Sequence, residues 1–306
     1  MAVNPKPGAK GLRRSLHFVP GGNQRMFDKA LSLSADSLIL DLEDSVTPDN
    51  KETARQAVCE WVTQADFGAK ECLVRINPQD SAWGREDLEA IVAVHPDGLV
   101  LPKVLNRANV DAVDQVVSAL EKQHGVTSGA ISLVLIGTEL PEAVFQLPTM
   151  GENERVDGLT WGAEDLAGAL GARAKRDDAG RYLDVFRFVR SSCLLAAAAT
   201  HVQPIDSVFV EIADSKGLRK ECAEAAAMGF RGKLTIHPSQ VDIVNEAFTP
   251  SDEEIAEARE LLAAFAENES SGKMAFSFKG QMVDVPHLKR ARQVLAIAAH
   301  ISGQTS

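Results

Sequence analysis

Eight short apolar runs, each followed by a stretch of helical periodicity, succeed one another along the chain. They are RSLHFVP (14–20), SLILDLED (37–44), CLVRIN (72–77), GLVLPK (98–103), SLVLIGTE (132–139), GLTWG (158–162), DSVFVE (206–211) and KLTIHP (233–238). KETARQAVCEWV, NVDAVDQVVSALEK and LRKECAEAAAMG are among the intervening stretches. Strands that alternate with helices pair in parallel, because a helical crossover returns the chain to the same end of the sheet. The runs are apolar without polar alternation, which fits strands covered on both faces. Eight such units, in a chain whose 45% hydrophobic content can fill a large core, predict a (β/α)8 TIM barrel. A doubly wound open sheet is the runner-up, weakened because no GxGxxG follows the first run.

The chain continues past the eighth run. Residues 239–268 read as two helices, and MAFSF and QMVDV flank Lys279-Gly280 as a short hairpin. Pro286 then suits the start of a last helix reaching Ala298. The expected organisation is a barrel over 1–248, with 1–11 as a flexible leader, and a helical and hairpin extension over 249–306 that serves as a lid or oligomerisation arm. No window is apolar enough to span a bilayer, and the basic, turn-rich N-terminus lacks the apolar region of a secretory signal. The cysteines Cys59, Cys72, Cys193 and Cys222 are scattered, as in a reducing compartment, so a cytoplasmic location is expected. A formal net charge of −11, with one Tyr and three Trp, argues against nucleic acid as a partner.

Polar groups gather where the runs end. The second ends Asp41-Leu42-Glu43-Asp44, the third Arg75-Ile76-Asn77, the fourth Pro102-Lys103, the fifth Thr138-Glu139, the seventh Glu211 and the eighth His237-Pro238. Glu164 and Asp165 follow the sixth. In a parallel barrel these ends share one rim, where active sites sit. Any one acid alone reads equally well as a helix cap or a surface pair. Several acids converging repel one another unless a cation lies among them, and oxygen ligands without a His/Cys cluster favour a hard ion, most simply Mg²⁺. Arg75 and Lys103 are the candidates to bind anionic oxygens, Arg75 through its planar fork of donors. Of the seven histidines only His237, at a run end, has a case for lining the site. No GxSxG motif or Ser/His/Asp pattern suggests a hydrolase triad.

The segments RRSLHFVPG (13–21), DLEDSV (41–46), VRINP (74–78), LPK (101–103), GTELPEAVFQL (137–147), GAEDLAGALGA (162–172), KLTIHPSQ (233–240) and GQMVDVPHLKRA (280–291) resemble, in order, the citrate lyase β-subunit-like and malyl-CoA lyase family of the HpcH/HpaI aldolase superfamily. The resemblance runs from about residue 12 to residue 300. It implies a barrel of the phosphoenolpyruvate-binding type, Mg²⁺ (or Mn²⁺ in its place), CoA-thioester and 2-oxo acid substrates, and a homotrimer or homohexamer. By the same resemblance the metal carboxylates fall on Glu139 and Asp165, and the oxyanion arginine on Arg75. Glu43 and Asp44 hold metal-bound waters and the arginine. Asp284 is the acid/base, closing over a neighbouring subunit's site. Arg14, Lys103, His237 and Pro238 lie around the CoA chain. Leu140 and Ala143 depart from the hydroxyl and Gly that relatives often carry there, which bears on the choice of 2-oxo acid.

The implied activity is reversible Claisen-type cleavage of a 3-hydroxyacyl-CoA (malyl-, citramalyl- or methylmalyl-CoA) to acetyl- or propionyl-CoA and glyoxylate or pyruvate. A malyl-CoA thioesterase using the same site is one alternative. A citrate lyase β subunit acting on an acyl carrier protein is another, and a CoA-ester-binding barrel without catalysis is the last.

Overall fold

The computed structural model describes residues 11–270 and 274–303. The first part of the chain alternates β1 (Ser15–Pro20), α1 (Gln24–Leu31), β2 (Ser37–Asp41), α2 (Lys51–Gln64), β3 (Glu71–Arg75), α3 (Gly84–Ala93), β4 (Gly98–Leu101) and α4 (Arg107–His124). It continues with β5 (Ser132–Ile136), α5 (Leu147–Met150), β6 (Val156–Thr160), α6 (Ala163–Leu170), α7 (Asp184–Thr200), β7 (Gln203–Asp206), α8 (Ser215–Met228), β8 (Gly232–Thr235) and α9 (Pro238–Ala247). The eight strands pair in chain order, all parallel, and β1 closes on β8. The expected (β/α)8 barrel is therefore present. Helix starts follow capping chemistry: the side chains of Asn23, Asn106 and Asp214 accept the amide N–H of Met26, Asn109 and Gly217 at 3.1, 3.1 and 2.9 Å.

Strand pairing explains why the rim is polar. In the β2/β3 register Ser37 stands beside Glu71, Ile39 beside Leu73 and Asp41 beside Arg75. Alternate residues of a strand share one face, so these three pairs stack through the barrel interior. The middle layer is apolar: Leu16, Ile39, Leu73, Val100, Val134, Ile136, Ile205 and Leu234 form one buried cluster. Below it, at the N-terminal ends of the strands, buried Arg13 donates to both oxygens of Glu71 at 2.6 and 2.7 Å and both of Asp157 at 3.0 and 2.8 Å. Ser37 also donates to Glu71, at 2.7 Å. Above it stands the Asp41–Arg75 pair. The strand residues between, such as Leu38, Leu40, Val74 and Leu99, are buried as well, which is why no alternation of polarity shows.

The seventh run corrects the expectation. The strand is Gln203–Asp206, and 207–211 is irregular. Pro204 and the fully buried Asp206 disguised the true strand. Asp206 belongs there because Arg190 donates to both its oxygens at 3.0 Å, Lys233 to one at 2.9 Å and the Trp161 indole to the other at 2.8 Å. Glu211 is consequently not at a strand end. It lines a separate cavity of about 510 Å³ beside α7 and α8, where Arg176–Glu221 (2.7 Å) and Arg190–Glu224 (3.3 Å) are paired.

The chain divides into two compact units, one ending at Glu246 and the other beginning at Ala247. The second holds α10 (Asp252–Ser270), a hairpin of β9 (Phe276–Phe278) and β10 (Gln281–Val283), and α11 (Val285–Ile301). Its core is Ala258, Leu261, Phe265, Val283, Leu288 and Ala291. The turn residues Lys279 and Gly280 have φ of 48° and 80°, the left-handed pair that matches strand twist in a two-residue hairpin. The expected leader lies outside the described residues except for Gly11. Among the described residues no helix is long and apolar enough to cross a membrane.

Candidate active site

At the C-terminal rim of the barrel a cavity of about 390 Å³ is lined by Phe18, Asp41, Asp44, Arg75, Glu139 and Asp165, with Trp161, Gly162, Ser207 and Ile236 among its other walls. Its volume lies in the ordinary range for small-ligand sites. Arg75 closes β3 and is held on three sides. Its Nε and Nη2 donate to Asp41 Oδ1 and Oδ2 at 2.6 and 2.7 Å, and its Nη1 lies 3.0 Å from Glu43 Oε2. The guanidinium carbon sits 4.8 Å from the Phe18 ring centroid, a cation–π contact. Burial opposes the charge on Arg75, but Asp41 and Glu43 outweigh it and raise its pKa further. Burial likewise opposes ionisation of Asp41, and Arg75 overcomes it, holding that carboxyl below its usual range.

Asp41 does more than pair. Its two oxygens accept the amide N–H of Glu43 at 2.9 Å and of Ser45 at 3.2 Å, which folds the 41–45 turn back on the rim. The turn is tied from behind by the buried ammonium of Lys51, which donates to the carbonyls of Leu42 and Glu43 at 2.8 Å and to Asn77 Oδ1 at 2.7 Å. Sequence reasoning gave no role to Asp41 or Lys51. The available signal was parity: Asp41 and Arg75 occupy the same position on adjacent strands, so their side chains meet.

Glu139 follows β5 and is buried, at 3% exposure. It lies against Gly162, where a Cβ would come within 2.7 Å of its Cγ, so a glycine is required. The amide N–H of Lys103 donates to Glu139 Oε2 at 2.5 Å. Burial, reinforced by the neighbouring charge of Asp165, pushes the Glu139 carboxyl up to about 8. Asp165 stands in the first turn of α6, whose N-cap is Gly162, so it also feels the positive end of that helix. Glu164 points elsewhere, to an ion pair with Lys175.

Lys103 has φ of 52°, a left-handed conformation uncommon outside glycine. This turns its side chain back among the acids: Nζ pairs with Glu43 and lies 3.3 Å from Asp44 Oδ1 and 3.7 Å from Asp165 Oδ1. Burial works against that ammonium, yet Glu43 and Asp44 hold its pKa above the usual lysine value. Burial raises the carboxyl of Glu43. Asp44 is peripheral to Arg75, at 3.8 Å from Nη1.

Other candidates are placed differently. Arg14 is a correction: it precedes β1, at the N-terminal end of the barrel, and pairs with Asp36 at 2.8 and 2.9 Å, so it does not reach this rim. His237 and Pro238 follow β8 at the C-terminal rim, the imidazole Nδ1 being 2.8 Å from Ser239 Oγ. Ala143 is fully buried behind the rim, and Leu140 opens the 3₁₀ turn over Pro141–Gln146. Asp284 lies in the second unit, at the N-cap of α11.

The donor set bears on which ion fits. Glu139 and Asp165 offer carboxylate oxygens only, close enough for the charge of Asp165 to disfavour ionisation of Glu139. Among the described residues no group of three or more His, Cys, Asp and Glu side chains is arranged to enclose a metal. This excludes a closed zinc-type cage. It suits Mg²⁺, which takes one or two carboxylates and completes its shell with water and substrate oxygens.

Comparison with known proteins points the same way. The family model for HpcH/HpaI aldolase/citrate lyase matches residues 14–238. The (3S)-malyl-CoA thioesterase of Cereibacter sphaeroides is 35% identical over 289 residues, covering 94% of this chain and 95% of the relative. Human mitochondrial citramalyl-CoA lyase is 34% identical over 300 residues, covering 94% of this chain and 86% of the relative. A crystal structure of the protein CitE from Mycobacterium tuberculosis, in complex with magnesium, acetoacetate and coenzyme A, superposes with a TM-score of 0.79 at 34% identity, covering 95% of this chain and 100% of that one.

Proposed function

We propose, from the premise that this chain belongs to the HpcH/HpaI aldolase/citrate lyase family, that it is a Mg²⁺-dependent CoA-ester lyase. It would cleave a 3-hydroxyacyl-CoA such as malyl-CoA or citramalyl-CoA, reversibly, to an acyl-CoA and a 2-oxo acid. The observation that carries this reading is the cavity in which paired carboxylates, Glu139 and Asp165, face a guanidinium locked in place by Asp41 and Glu43. The magnesium in the CitE complex and the lyase name of the human relative support it.

Glu139 and Asp165 would hold the ion, which when bound supplies a Lewis acid for the oxygens of the 2-oxo acid portion. Arg75 stabilises negative charge on the thioester oxygen as the acyl-CoA enolate develops. Its two charge-assisted bonds to Asp41 leave it no freedom to turn away, so the donor is oriented before the charge appears. Lys103 keeps the acids beside it from repelling an anionic substrate. Asp284 of a neighbouring copy of the chain is assigned to protonate the enolate carbon in cleavage, the substrate's hydroxyl proton passing to water, and to remove that carbon-bound proton in condensation. His237 and Pro238 are assigned to the CoA side of the rim.

A thioesterase is the second reading, favoured by the name of the 35%-identical Cereibacter relative. One incubation separates the two. Purified protein is given malyl-CoA and citramalyl-CoA with Mg²⁺ or EDTA, and products are read by mass spectrometry. Metal-dependent acetyl-CoA with glyoxylate or pyruvate supports the lyase, whereas free CoA with malate or citramalate overturns it in favour of hydrolysis.

The proposed assembly is a homotrimer or homohexamer. Val185, Phe188 and Leu195 support self-association, being exposed apolar residues on the outer side of α7. The scattered cysteines, Cys72, Cys193 and Cys222 of them buried, support a reducing compartment, the cytoplasm in this proposal.

A further inference from the structure

Asp284 and His287 form a pair whose geometry demands a shared proton. Asp284 is the N-cap of α11 and His287 is its third residue. The imidazole Nδ1 lies 2.8 Å from Asp284 Oδ1, and the Asp284 amide N–H donates to the same Nδ1 at 3.3 Å, the capping box of this helix start. At 2.8 Å a nitrogen and a carboxyl oxygen are bonded only if one of them carries a proton. With the proton on Nδ1, the imidazole donates to an ionised carboxylate. With the proton on the carboxyl, Nδ1 accepts from it.

The surroundings hold this pair still while leaving it accessible. Val283 before it and Leu288 after it are both buried in the core of the second unit. Pro286 fixes the first turn of the helix between them. The side chains themselves are half-exposed, 43% for Asp284 and 48% for His287. His287 also lines a cavity of about 220 Å³, together with Glu254 and Glu257 from α10, Lys279 from the hairpin turn and Arg290 from α11. Lys279 is paired with Glu260 at 2.6 Å. Among these residue types only histidine has an ordinary pKa between pH 5 and 8.

We infer that His287 is a positioning residue for Asp284. Its Nδ1 anchors one carboxyl oxygen, so that the other is presented in a fixed direction. The inference rests on the reading of Asp284 as the acid/base of the lyase.

The test is kcat and KM for malyl-CoA and citramalyl-CoA from pH 5.5 to 9, in the wild type and in His287→Asn, His287→Ala and Asp284→Asn. The Asn amide can place a donor near the position of Nδ1 but does not titrate. The wild type is expected to show an inflection in kcat that His287→Asn lacks while keeping most of its turnover at pH 8. His287→Ala should lose about tenfold in kcat, the worth of one hydrogen bond to a charged group, with KM unchanged, and recover with added imidazole. The same inflection in the wild type and in His287→Asn, with Asp284→Asn inactive, overturns the role of His287 alone. Full turnover in Asp284→Asn overturns the reading on which it rests.

Discussion

Raising the pH of the metal-free protein from 6 to 8 should weaken its fold, and Mg²⁺ should restore it. The cause is Glu139, whose carboxyl is pushed up to about 8, first by burial and then by Asp165. A carboxyl with a raised pKa binds its proton more tightly in the folded state. Between the ordinary carboxylate pKa and about 8 the folded chain therefore carries the extra proton, and stability falls as pH rises. With an unfolded value near 4.5, the linkage between pH 6 and pH 8 amounts to roughly 2 kcal/mol. For a chain of this size that is a fall of a few degrees in Tm. Other groups titrate in the same interval, so the assay compares the wild type with Glu139→Gln, in EDTA and in Mg²⁺, by differential scanning fluorimetry at each pH. Gln keeps an acceptor for the Lys103 amide but has no proton to lose. The variant should show a flatter decline than the wild type in EDTA. Mg²⁺ should stabilise only the wild type, more at pH 8 than at pH 6, because binding must first expel the proton. Parallel slopes in the two proteins would refute the assignment of that proton to Glu139.

The other expectations are more direct. Arg75→Ala should fold and lose about 10²–10³ in kcat, the usual loss for a single oxyanion donor, measured by product release. Asp41→Asn strips a buried guanidinium of its bidentate partner and should destabilise the protein by about 3–5 kcal/mol in urea unfolding as well as slowing turnover. Gly162→Ala drives a methyl into Glu139 and should weaken Mg²⁺ binding by about tenfold or more in calorimetry, with the circular dichroism spectrum unchanged. Lys233→Met leaves Asp206 and Glu221 without their buried cation, and a loss of about 3–5 kcal/mol is expected from the same urea measurement.

How far the sequence disclosed all this follows from how each signal is encoded. Barrel strands buried on both faces write themselves as apolar runs, and seven of the eight were visible for that reason. The exception, Gln203–Asp206, contains a proline and a buried acid, and its identity depends on Arg190, Lys233 and Trp161, which come from other elements. The rim acids were legible because a parallel barrel turns strand ends into neighbours. Which acid served Arg75 was not, since Asp41, Glu43 and Asp44 are adjacent in sequence and only the strand register selects Asp41. Arg14 was misplaced for a related reason: it sits beside a conspicuous motif, but before its strand rather than after it. The left-handed turn that sends Lys103 among the carboxylates has no sequence marker, because no glycine stands there.

The ionic layer of Arg13, Glu71 and Asp157 and the apolar cluster above it fill the barrel axis beneath the rim cavity. For a reaction that splits one molecule into two, neither fragment can then leave along the barrel axis. If Glu139 and Asp165 hold the 2-oxo acid as proposed, that fragment would depart last and, in the synthetic direction, arrive first. Product-inhibition kinetics would then be ordered rather than random.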